Sequence, residues 1–405
     1  MPSVPPPGEP APCDGALPES ALQTFGSRPF AFYVHVPFCT TRCGYCDFNT
    51  YTSDELGPSG GRSSYADQVV AEGRLARRVL GDRDVAVSSV FVGGGTPTLL
   101  PPGDLGRILA AVAEEFGLAP DAEVTTEANP DSVTSSSLAA LREAGFTRVS
   151  FGMQSTASHV LAVLERSHTP GRAVEAVAEA RAVGFEHVNV DLIYATPGET
   201  GADFTASLEA ATCSGADHVS AYALIVEEGT RLAARIRRGE LPDVDDDLAA
   251  DRYLQADEAL AAAGLEWYEV SNWARPGCEC RHNLAYWRGD DWWGAGPGAH
   301  AHVGGVRWWN VRHPAAYAGR IAAGGSPAQA REVLSAEDRR VEDVLLRVRL
   351  REGLRLDALT ATGRDVAARS VADGLAEQTS YAEGRLVLTV SGRLLADRLV
   401  RDLVD

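Results

Sequence analysis

The sequence predicts an α/β protein in which a partial (β/α)6 barrel, similar to a TIM barrel, is followed by a smaller C-terminal α/β unit of winged-helix type. The first observation is that six β-rich runs alternate with helical segments between residues 30 and 225, and such a series forms a parallel sheet. The second is that glycines and polar residues stand at the carboxyl ends of these runs: Gly93 to Thr96, Glu127, Gln154 and Asp191. An open doubly wound sheet satisfies the first observation equally well. A barrel brings its strand ends to one face, so the second observation favours the barrel.

The individual elements are marked by composition and periodicity. The six predicted strands are FAFYVHVP, SSVFVGG, AEVTTEAN, RVSFGMQ, EHVNVDLIYA and DHVSAYALI. Segments between them, such as YADQVVAEGRLARRVL and LAALREAG, have helical periodicity, and several end in glycine, which is typical of a helix C-terminus. Residues 385–405, which begin RLVLTVSG, predict a strand, a turn and an amphipathic helix.

Changes in composition divide the chain into three parts. Residues 1–27 are rich in Pro, Gly and Ala and predict a disordered tail. Residues 28–245 contain the barrel, and the acidic stretch DVDDD near its end predicts a solvated linker or the first turn of a helix. Residues 246–405 form the C-terminal part, which contains an aromatic and Gly-rich stretch at residues 266–319.

Charge and cysteine content narrow the class of protein. The 405 residues carry a formal net charge of -19, which repels phosphate backbones and anionic lipid, so a nucleic-acid partner is not expected. The chain has no apolar run of membrane-spanning length and no basic segment followed by an apolar one at its start, and only seven residues are cysteine. We therefore expect a cytoplasmic protein whose cysteines serve metal or redox chemistry.

Three cysteines lie close together after the first predicted strand. Cys39, Cys43 and Cys46 have C-x3-C-x2-C spacing, and loops at the carboxyl ends of barrel strands commonly carry chemistry. A structural zinc site normally has four ligands, and here His35 or Asp47 would have to complete it. A [4Fe-4S] cluster held by three thiolates instead leaves one iron open to a ligand from outside the protein.

At this point the sequence resembles the radical S-adenosylmethionine (SAM) superfamily, in which this cysteine signature binds a [4Fe-4S] cluster and SAM chelates the open iron. The turn Gly93-Gly94-Gly95-Thr96-Pro97 is similar to the SAM-binding GGGTP motif of that superfamily. By itself, the Gly-rich sequence is as typical of a tight structural turn as of a SAM site. Each polar residue at a strand end, taken alone, is as typical of a hydrogen-bonded core residue as of a SAM ligand. The resemblance implies that the cluster ligands are Cys39, Cys43 and Cys46 and that the SAM site contains Tyr33, Gly94, Gly95, Thr96, Glu127, Gln154, Arg166, Asp191 and Ala223.

Within the superfamily, residues 28 to 360 resemble the branch that contains oxygen-independent coproporphyrinogen III dehydrogenases and haem chaperones. Two local features favour the chaperones. Phe48 stands where the dehydrogenases have a fourth cysteine, and residues 282–287, His-Asn-Leu-Ala-Tyr-Trp, match the chaperone motif HNxxYW, whose histidine is implicated in haem binding. The resemblance therefore implies that His282 binds haem. Independently of the resemblance, a neutral imidazole is a good iron ligand, and the flanking aromatic residues Tyr286, Trp287, Trp292 and Trp293 suit the cover of a flat macrocycle. A core histidine that helps to close the barrel is the alternative explanation of this residue.

The resemblance also implies a set of partners. The chain would bind haem, take it from a haem donor protein, and deliver it to haem-requiring respiratory membrane proteins, reaching the membrane through those partners, and it would form a homodimer. The alternative function is the radical-SAM oxidative decarboxylation of coproporphyrinogen III, and a third class is a zinc-stabilised α/β binding protein. The motif does not include Cys278 and Cys280. These two cysteines either bind haem iron or another metal, or have no function of their own.

Overall fold

The protein, examined as a computed structural model, is described for residues 8–56 and 61–404, and the start of the expected tail, residues 1–7, lies outside this range. The strands are β1 (Glu9–Pro10), β2 (Phe30–Val36), β3 (Val87–Gly94), β4 (Leu118–Ala128), β5 (Arg148–Gln154), β6 (His187–Tyr194), β7 (His218–Ala223), β8 (Glu266–Glu269), β9 (Asn272–Ala274), β10 (Asp291–Ala295), β11 (His300–Val303), β12 (Val306–Asn310), β13 (Ala328–Val333), β14 (Leu354–Arg355) and β15 (Arg385–Leu386).

Helices connect most of these strands. They are α1 (Glu19–Thr24), α2 (Ser53–Leu56), α3 (Tyr65–Leu80), α4 (Pro102–Phe116), α5 (Ser135–Glu143), α6 (Ser158–Val163), α7 (Arg172–Ala182), α8 (Gly201–Cys213), α9 (Arg231–Arg237), α10 (Asp246–Ala262), α11 (Arg281–Arg288), α12 (Pro314–Ala322), α13 (Ala336–Arg347), α14 (Ala361–Ala372), α15 (Gln378–Ala382), α16 (Val390–Leu394) and α17 (Ala396–Val404). Short 3-10 turns lie at Arg62–Ser64, Pro97–Leu99, Pro130–Ser132 and Leu356–Ala358. Within the described ranges, no helix has both the length and the apolar character that crossing a bilayer requires.

Six parallel strands form the centre of the molecule. They lie in the order β2-β3-β4-β5-β6-β7, and every neighbouring pair among them is parallel. Chain order and spatial order agree because each strand is followed by a crossover of the kind that parallel neighbours require. All six predicted strands, and with them the predicted α/β fold class, are confirmed.

Strands from the C-terminal part extend this sheet at both edges. β10 pairs in parallel with β2, with Phe32 opposite Trp293, and β11, β12, β13 and β1 continue beyond it. At the other edge β9 and β8 follow β7, with antiparallel pairing. One sheet thus passes across the division expected near residue 245, because apolar strands after that residue bury themselves against the barrel edges.

The outer helices begin and end where local signals place them. In α3 the buried side chains include Tyr65, Val69 and Leu80, which form one apolar face. The residues after α3 and α4 are Gly81 and Gly117, with φ of 76° and 72°, a conformation that glycine adopts without strain. The apolar face of each helix therefore packs on the sheet. The carboxyl ends of the parallel strands, where the polar residues stand, are not covered by these helix faces.

The segment expected to be a disordered tail is ordered from residue 8 onward. β1 pairs with β13, and Glu9 forms an ion pair of 2.7 Å with Arg331. Ala21 and Phe25 are buried, and the ring of Phe25 meets that of Phe30 edge to face at 5.1 Å. The expectation of disorder was wrong for residues 8–27, because a few apolar side chains spaced along one short helix suffice to attach it to the core.

Residues 344–403 supply a separate hydrophobic core. It includes Val344, Leu354, Leu386 and Leu403, and β14 pairs with β15 in a separate small sheet. Arg393 connects this unit to α10 through an ion pair of 2.9 Å with Asp257. This arrangement is the smaller C-terminal α/β unit that the sequence predicts.

Candidate functional site

The loop that carries the three cysteines follows β2, at the carboxyl end of the parallel strands. Its two arms are held together by the hydrogen bond from the Cys39 N–H to the carbonyl of Tyr51, at 3.0 Å. Its tip is held by Gly44, whose N–H donates to Leu164 and whose carbonyl accepts from Leu232. The loop is therefore fastened to two neighbouring segments of the barrel, and the three thiols are partly buried and free of disulfides.

The environment of these thiols favours their protonated form. Burial raises the pKa of Cys39, and it raises the pKa of Cys46 to about 11, with a further contribution from the neighbouring Cys43. A cation bound between the thiols would reverse this balance, because metal ligation needs the thiolate. The donor set therefore fits an iron-sulfur cluster, whose assembly at this loop would release thiol protons.

The Gly-rich turn after β3 lies directly against the cysteine loop. A Cβ on Gly95 would lie 2.5 Å from the carbonyl oxygen of Phe38 and 3.0 Å from the Sγ of Cys39. Gly94 has a φ of 113°, and a Cβ there would lie 2.7 Å from the ring of His35. Thr96 donates its backbone N–H to Phe38 at 2.7 Å. Side chains at these glycines would push the turn away from the thiols, so the close approach requires glycine.

Two carboxyl groups face the cavity beside this turn. Glu127 accepts a hydrogen bond of 2.9 Å from the N–H of Gly94. Burial, and then the nearby charge of Asp191, raise the pKa of Glu127 to about 8. Burial also raises the pKa of Asp191, which accepts hydrogen bonds from Ser150 and Asn189. Two buried carboxyls with raised pKa values are stabilised by a cation between them, and SAM carries both an ammonium and a sulfonium group.

Arg166 and Gln154 complete the rim on the side of β5. The Nη1 of Arg166 lies 3.6 Å from the Sγ of Cys43, and its Nη2 donates to the carbonyl of Gly152 at 3.0 Å. Its Nε is buried without a hydrogen-bond partner among the described residues. Gln154 is buried and has a φ of 65°, a strained conformation for a residue with a side chain. An unpartnered buried donor and local strain are both typical of a ligand site.

Two adjoining cavities occupy the barrel interior, with volumes of about 220 Å³ and 140 Å³. Tyr33, Phe91 and Glu127 line both. Asp191 and His282 line the larger cavity, and Gly94 lines the smaller. Ala223 ends β7 opposite Tyr194 and lines neither cavity. Five of the ten expected cofactor-binding residues thus line one interior space, whereas Gly95, Thr96, Gln154, Arg166 and Ala223 line neither cavity.

His282 lies toward the opposite end of the barrel from the cysteine loop. Its Nδ1 is 2.9 Å from the hydroxyl of Ser89, near the start of β3, and its Nε2 is 2.9 Å from the hydroxyl of Tyr286. Its ring stacks on Phe91 with 5.2 Å between centroids. Burial lowers the pKa of His282 to about 4, so the imidazole is neutral at neutral pH. The ring is available to iron only after one of its two hydrogen bonds is broken.

The aromatic residues near His282 differ in position. Tyr286 lines the larger cavity, whereas Trp293 is buried against Trp308 with 5.0 Å between ring centroids. Trp292 donates its indole N–H to the carbonyl of His300. Of the aromatic residues expected to cover a macrocycle, Trp292 and Trp293 instead lie in β10, inside the sheet between β2 and β11.

Phe48 lies at the open side of the site. Its side chain is 49% exposed and borders the smaller cavity together with Tyr33 and His35. Tyr222, within β7, is 43% exposed, and Ile225, just beyond the end of β7, is 66% exposed. Single exposed apolar side chains are normal on a protein surface, but Phe48 lines the smaller cavity and Tyr222 lines the larger one.

Sequence reasoning missed the polar lining of the barrel. His218 bonds to Asn189 and to Tyr268, and Asn189 bonds in turn to Ser150, Asp191 and Ser220. A signal was present, because polar residues recur at every second position of the strands: Thr125 and Glu127, Arg148 and Ser150, Asn189 and Asp191, His218 and Ser220. In a strand, alternate residues share one face, so this face predicts a polar barrel interior.

Comparisons with known proteins agree with this geometry. The sequence pattern of the radical SAM superfamily matches residues 33–211. The haem chaperone HemW of Mycobacterium tuberculosis H37Rv is 55% identical over 383 residues, which are 95% of this chain and 97% of that protein. HemW of Bacillus subtilis is 31% identical over 91% of this chain and 97% of that protein. The coproporphyrinogen III oxidase HemN of Escherichia coli, a radical SAM enzyme, superposes with a TM-score of 0.80 over 96% of this chain and 94% of its own, at 23% identity, a likeness of fold.

Proposed function

We propose, from the premise that the chain belongs to the HemW family of the radical SAM superfamily, that it is a haem chaperone with a SAM-chelated [4Fe-4S] cluster. The observation that carries this proposal is the match to the HemW of M. tuberculosis, which extends over 97% of that protein. The resemblance found in the sequence is thereby confirmed at the level of the family. The radical SAM family implies SAM and the cluster as cofactors.

The position of Phe48 supports the chaperone over a coproporphyrinogen dehydrogenase. Three thiols lie on the loop, and the side chain two residues after Cys46 is an exposed phenyl ring. The alternative function, oxidative decarboxylation of coproporphyrinogen III, is not favoured. The likeness to HemN, at 23% identity, is a likeness of fold and carries no argument for the same activity.

In this proposal Cys39, Cys43 and Cys46 hold the cluster, and the residues around them hold SAM. Glu127 and Asp191 would balance the positive charges of SAM. The backbone of Gly94, Gly95 and Thr96 would approach it closely, and Tyr33, Gln154 and Ala223 would complete the pocket. Arg166, whose guanidinium already contacts Cys43, would balance the negative charge of the ligated thiolates. When reduced, the cluster supplies one-electron chemistry to the bound sulfonium.

His282 is the proposed haem ligand. Its imidazole is neutral at physiological pH because burial lowers its pKa to about 4, and a neutral ring nitrogen is what iron binds. Access to the Nε2 requires the hydroxyl of Tyr286 to leave it. Tyr222 and Tyr286, which line the same cavity as His282, would offer an aromatic surface to a flat macrocycle.

The proposed partners follow from this function. The chain would receive haem from a donor protein and deliver it to respiratory membrane proteins from the cytoplasm, and a homodimer is part of the same proposal. Residues 28–245 as the cofactor-binding part and 246–405 as the haem-associated part remain a proposed division of labour. The sheet itself is shared between them.

One experiment separates the two functions. The cluster-loaded protein is incubated anaerobically with SAM, reductant and coproporphyrinogen III, and haem is titrated in parallel into wild-type, His282→Ala and His159→Ala proteins. His159 is an exposed control histidine on α6. We expect no protoporphyrinogen, and haem binding that is lost in His282→Ala and retained in His159→Ala. Formation of protoporphyrinogen would overturn the chaperone proposal.

A further inference from the structure

A second group of metal-binding side chains lies at the end of the barrel opposite the cysteine loop. His187 is the first residue of β6, and Asp217 immediately precedes β7. Cys278 lies in the segment between β9 and α11. The amino ends of β6 and β7 therefore lie next to the segment that connects β9 to α11.

The donor atoms of these three residues converge. The Nδ1 of His187, a carboxylate oxygen of Asp217 and the Sγ of Cys278 all lie within 4.8 Å of one another. The Nδ1 of His187 is 2.9 Å from the Oδ2 of Asp217. The other carboxylate oxygen accepts the N–H of Val188 at 3.0 Å, which fixes the orientation of the carboxylate. Asp217 is buried, whereas His187 and Cys278 are partly exposed, so an ion has a route into the group.

The chemistry of the group fits a divalent transition metal. Thiolate, imidazole and carboxylate are the three side-chain ligands that zinc uses in proteins, and water often takes the fourth position. Burial, and then the carboxylate of Asp217, raise the pKa of Cys278, so the thiol keeps its proton when no metal is bound. Both this thiol and His187 make hydrogen bonds to Asp217, so the carboxylate already gathers the two other donors.

We propose that His187, Asp217 and Cys278 bind one Zn²⁺ ion, with water as the fourth ligand, at the amino end of the barrel strands. On binding, a zinc–sulfur bond replaces the S–H bond of Cys278 and one proton goes to solvent. In the metal-free protein the Nδ1 of His187 carries a proton and donates a hydrogen bond to Asp217. When zinc binds, that proton is released to solvent and Nε2 takes one up from solvent, so the neutral imidazole binds through Nδ1 with no net change in its protons. No electron is transferred. Zinc thereby substitutes for the hydrogen bonds that hold the three side chains together without it.

Arg181 tunes this site by its charge. Its Nη2 lies 3.0 Å from the Oδ2 of Asp217, and its other nitrogens donate to the carbonyls of Gly215 and Glu186. The guanidinium repels a cation but also holds the carboxylate in place. The carboxylate and the thiolate of Cys278 together balance the charge of Zn²⁺, so we expect Arg181→Gln to tighten zinc binding through the loss of the remaining positive charge.

Zinc at this place would fasten the segment that leads to His282. Arg148 donates to the carbonyls of Cys278 and Glu279, and Cys280 donates its thiol to Glu123 at 3.4 Å. α11, with His282, begins one residue later. A metal bound by Cys278 would hold the N-terminal approach to this helix against β6 and β7. This consequence for haem rests on the proposed function, whereas zinc binding itself does not.

The test uses the full chain with its [4Fe-4S] cluster assembled, so that Cys39, Cys43 and Cys46 are occupied. The protein is treated with a mild chelator and loaded with Zn²⁺. Zinc per chain is then measured by elemental analysis, and the ligands are identified by X-ray absorption at the zinc edge. The variants are Cys278→Ser, His187→Gln, Arg181→Gln and His282→Ala. Cys213→Ser is the control, since Cys213 is an exposed cysteine at the end of α8.

We expect about one zinc per chain, bound by one sulfur and by nitrogen or oxygen ligands. Zinc should be lost in Cys278→Ser, bind at least tenfold more weakly in His187→Gln, and remain in Cys213→Ser and His282→Ala. Three sulfur ligands would place the zinc at the other cysteines and overturn the proposal, as would equal zinc in Cys278→Ser and Cys213→Ser. The X-ray absorption spectrum of the wild-type protein shows how many sulfur ligands the zinc has, even if a variant does not fold. Zinc binding without haem binding would reject the proposed function alone.

Discussion

The guanidinium of Arg166 contacts the thiol of Cys43, with 3.6 Å between Nη1 and Sγ, although 123 residues separate them in the chain. Burial alone would lower the pKa of Arg166, but its interactions with Tyr45, Cys43 and Asp191 outweigh burial and raise it. Arg166 therefore stays charged beside Cys43, one of the three proposed cluster ligands. The contact joins the cysteine loop to the segment that follows α6.

We predict that Arg166→Ala lowers the iron and sulfide retained after cluster assembly by several-fold, because the thiolate of Cys43 loses its counter-charge. Arg166→Lys should retain more, since the charge remains. The control is Arg78→Ala, an exposed arginine on α3. Iron analysis and the visible absorption of the cluster are the measurements. Equal iron in Arg166→Ala and Arg78→Ala would remove Arg166 from the site.

The second prediction concerns Gly95. In Gly95→Ala the new Cβ would lie 2.5 Å from the carbonyl oxygen of Phe38, so the turn must move away from the cysteine loop, and we expect cluster assembly to fail. The matched control is Gly103→Ala in the first turns of α4, where nothing lies within 4 Å of an added Cβ. That variant should assemble the cluster normally and gain roughly 0.4–1 kcal/mol of stability. Normal assembly in Gly95→Ala would show that the close approach is not required.

The third prediction is a pH dependence of the cofactor-free protein. The pKa of Glu127 is about 8 in the folded state, against 4.5 without the fold. Between these values the folded chain binds more protons than the unfolded chain, so stability falls as pH rises. The loss due to this carboxyl is on the order of a few kcal/mol.

Thermal unfolding measured from about pH 5 to about pH 8.5 tests this prediction. This range covers most of the titration of a carboxyl whose pKa is raised by burial. Glu127→Gln should lose less stability over this range than the wild type. Glu143→Gln, at an exposed position of α5, should follow the wild type. Parallel curves for wild type and Glu127→Gln would contradict the raised pKa.

The fourth prediction concerns the buried ion pair of Glu123 and Arg148, at 3.0 Å. Glu123 also accepts the N–H of His282. Glu123→Gln leaves the guanidinium without its counter-charge, and removing one partner of a buried pair costs about 3–5 kcal/mol. The double variant Glu123→Leu, Arg148→Met should recover much of the loss, since no charge is then left buried.

Denaturant unfolding measures these changes, and haem titration of the same variants reports on the placement of His282. Asp357→Asn breaks the exposed pair with Arg355 and should change little, because solvent screens it. A loss in Glu123→Gln no larger than in Asp357→Asn would mean that the buried pair contributes little.

The sequence predicts the parallel strands well because each carries a strong local signal. The apolar run of FAFYVHVP and the glycines that end the helices are sufficient to position β2, α3 and their neighbours. The three cysteines, the Gly-rich turn and Glu127 were expected to meet for the same reason, since the carboxyl ends of parallel strands share one face. Their assignment as cofactor ligands stays a prediction.

Other features have no local signal. The pairing of Phe32 with Trp293 depends on which edge of the sheet is free once the six parallel strands have formed. The sequence around either residue does not specify this partner. The order of the segment around Phe25 depends in the same way on a surface built by distant residues. The hydrogen bonds that occupy both ring nitrogens of His282 follow from Ser89 and Tyr286 meeting in three dimensions, which a motif cannot specify.

The parallel pairing of β10 with β2 has a consequence for biosynthesis. β2 is among the first strands to leave the ribosome, and its partner follows 261 residues later, as the numbers of Phe32 and Trp293 show. At roughly 5–20 residues per second, one edge of β2 waits on the order of ten to fifty seconds for its neighbour. An open strand edge invites pairing with other chains. This edge of the nascent protein therefore needs protection, or slow commitment to folding, until residue 295, the end of β10, has been made.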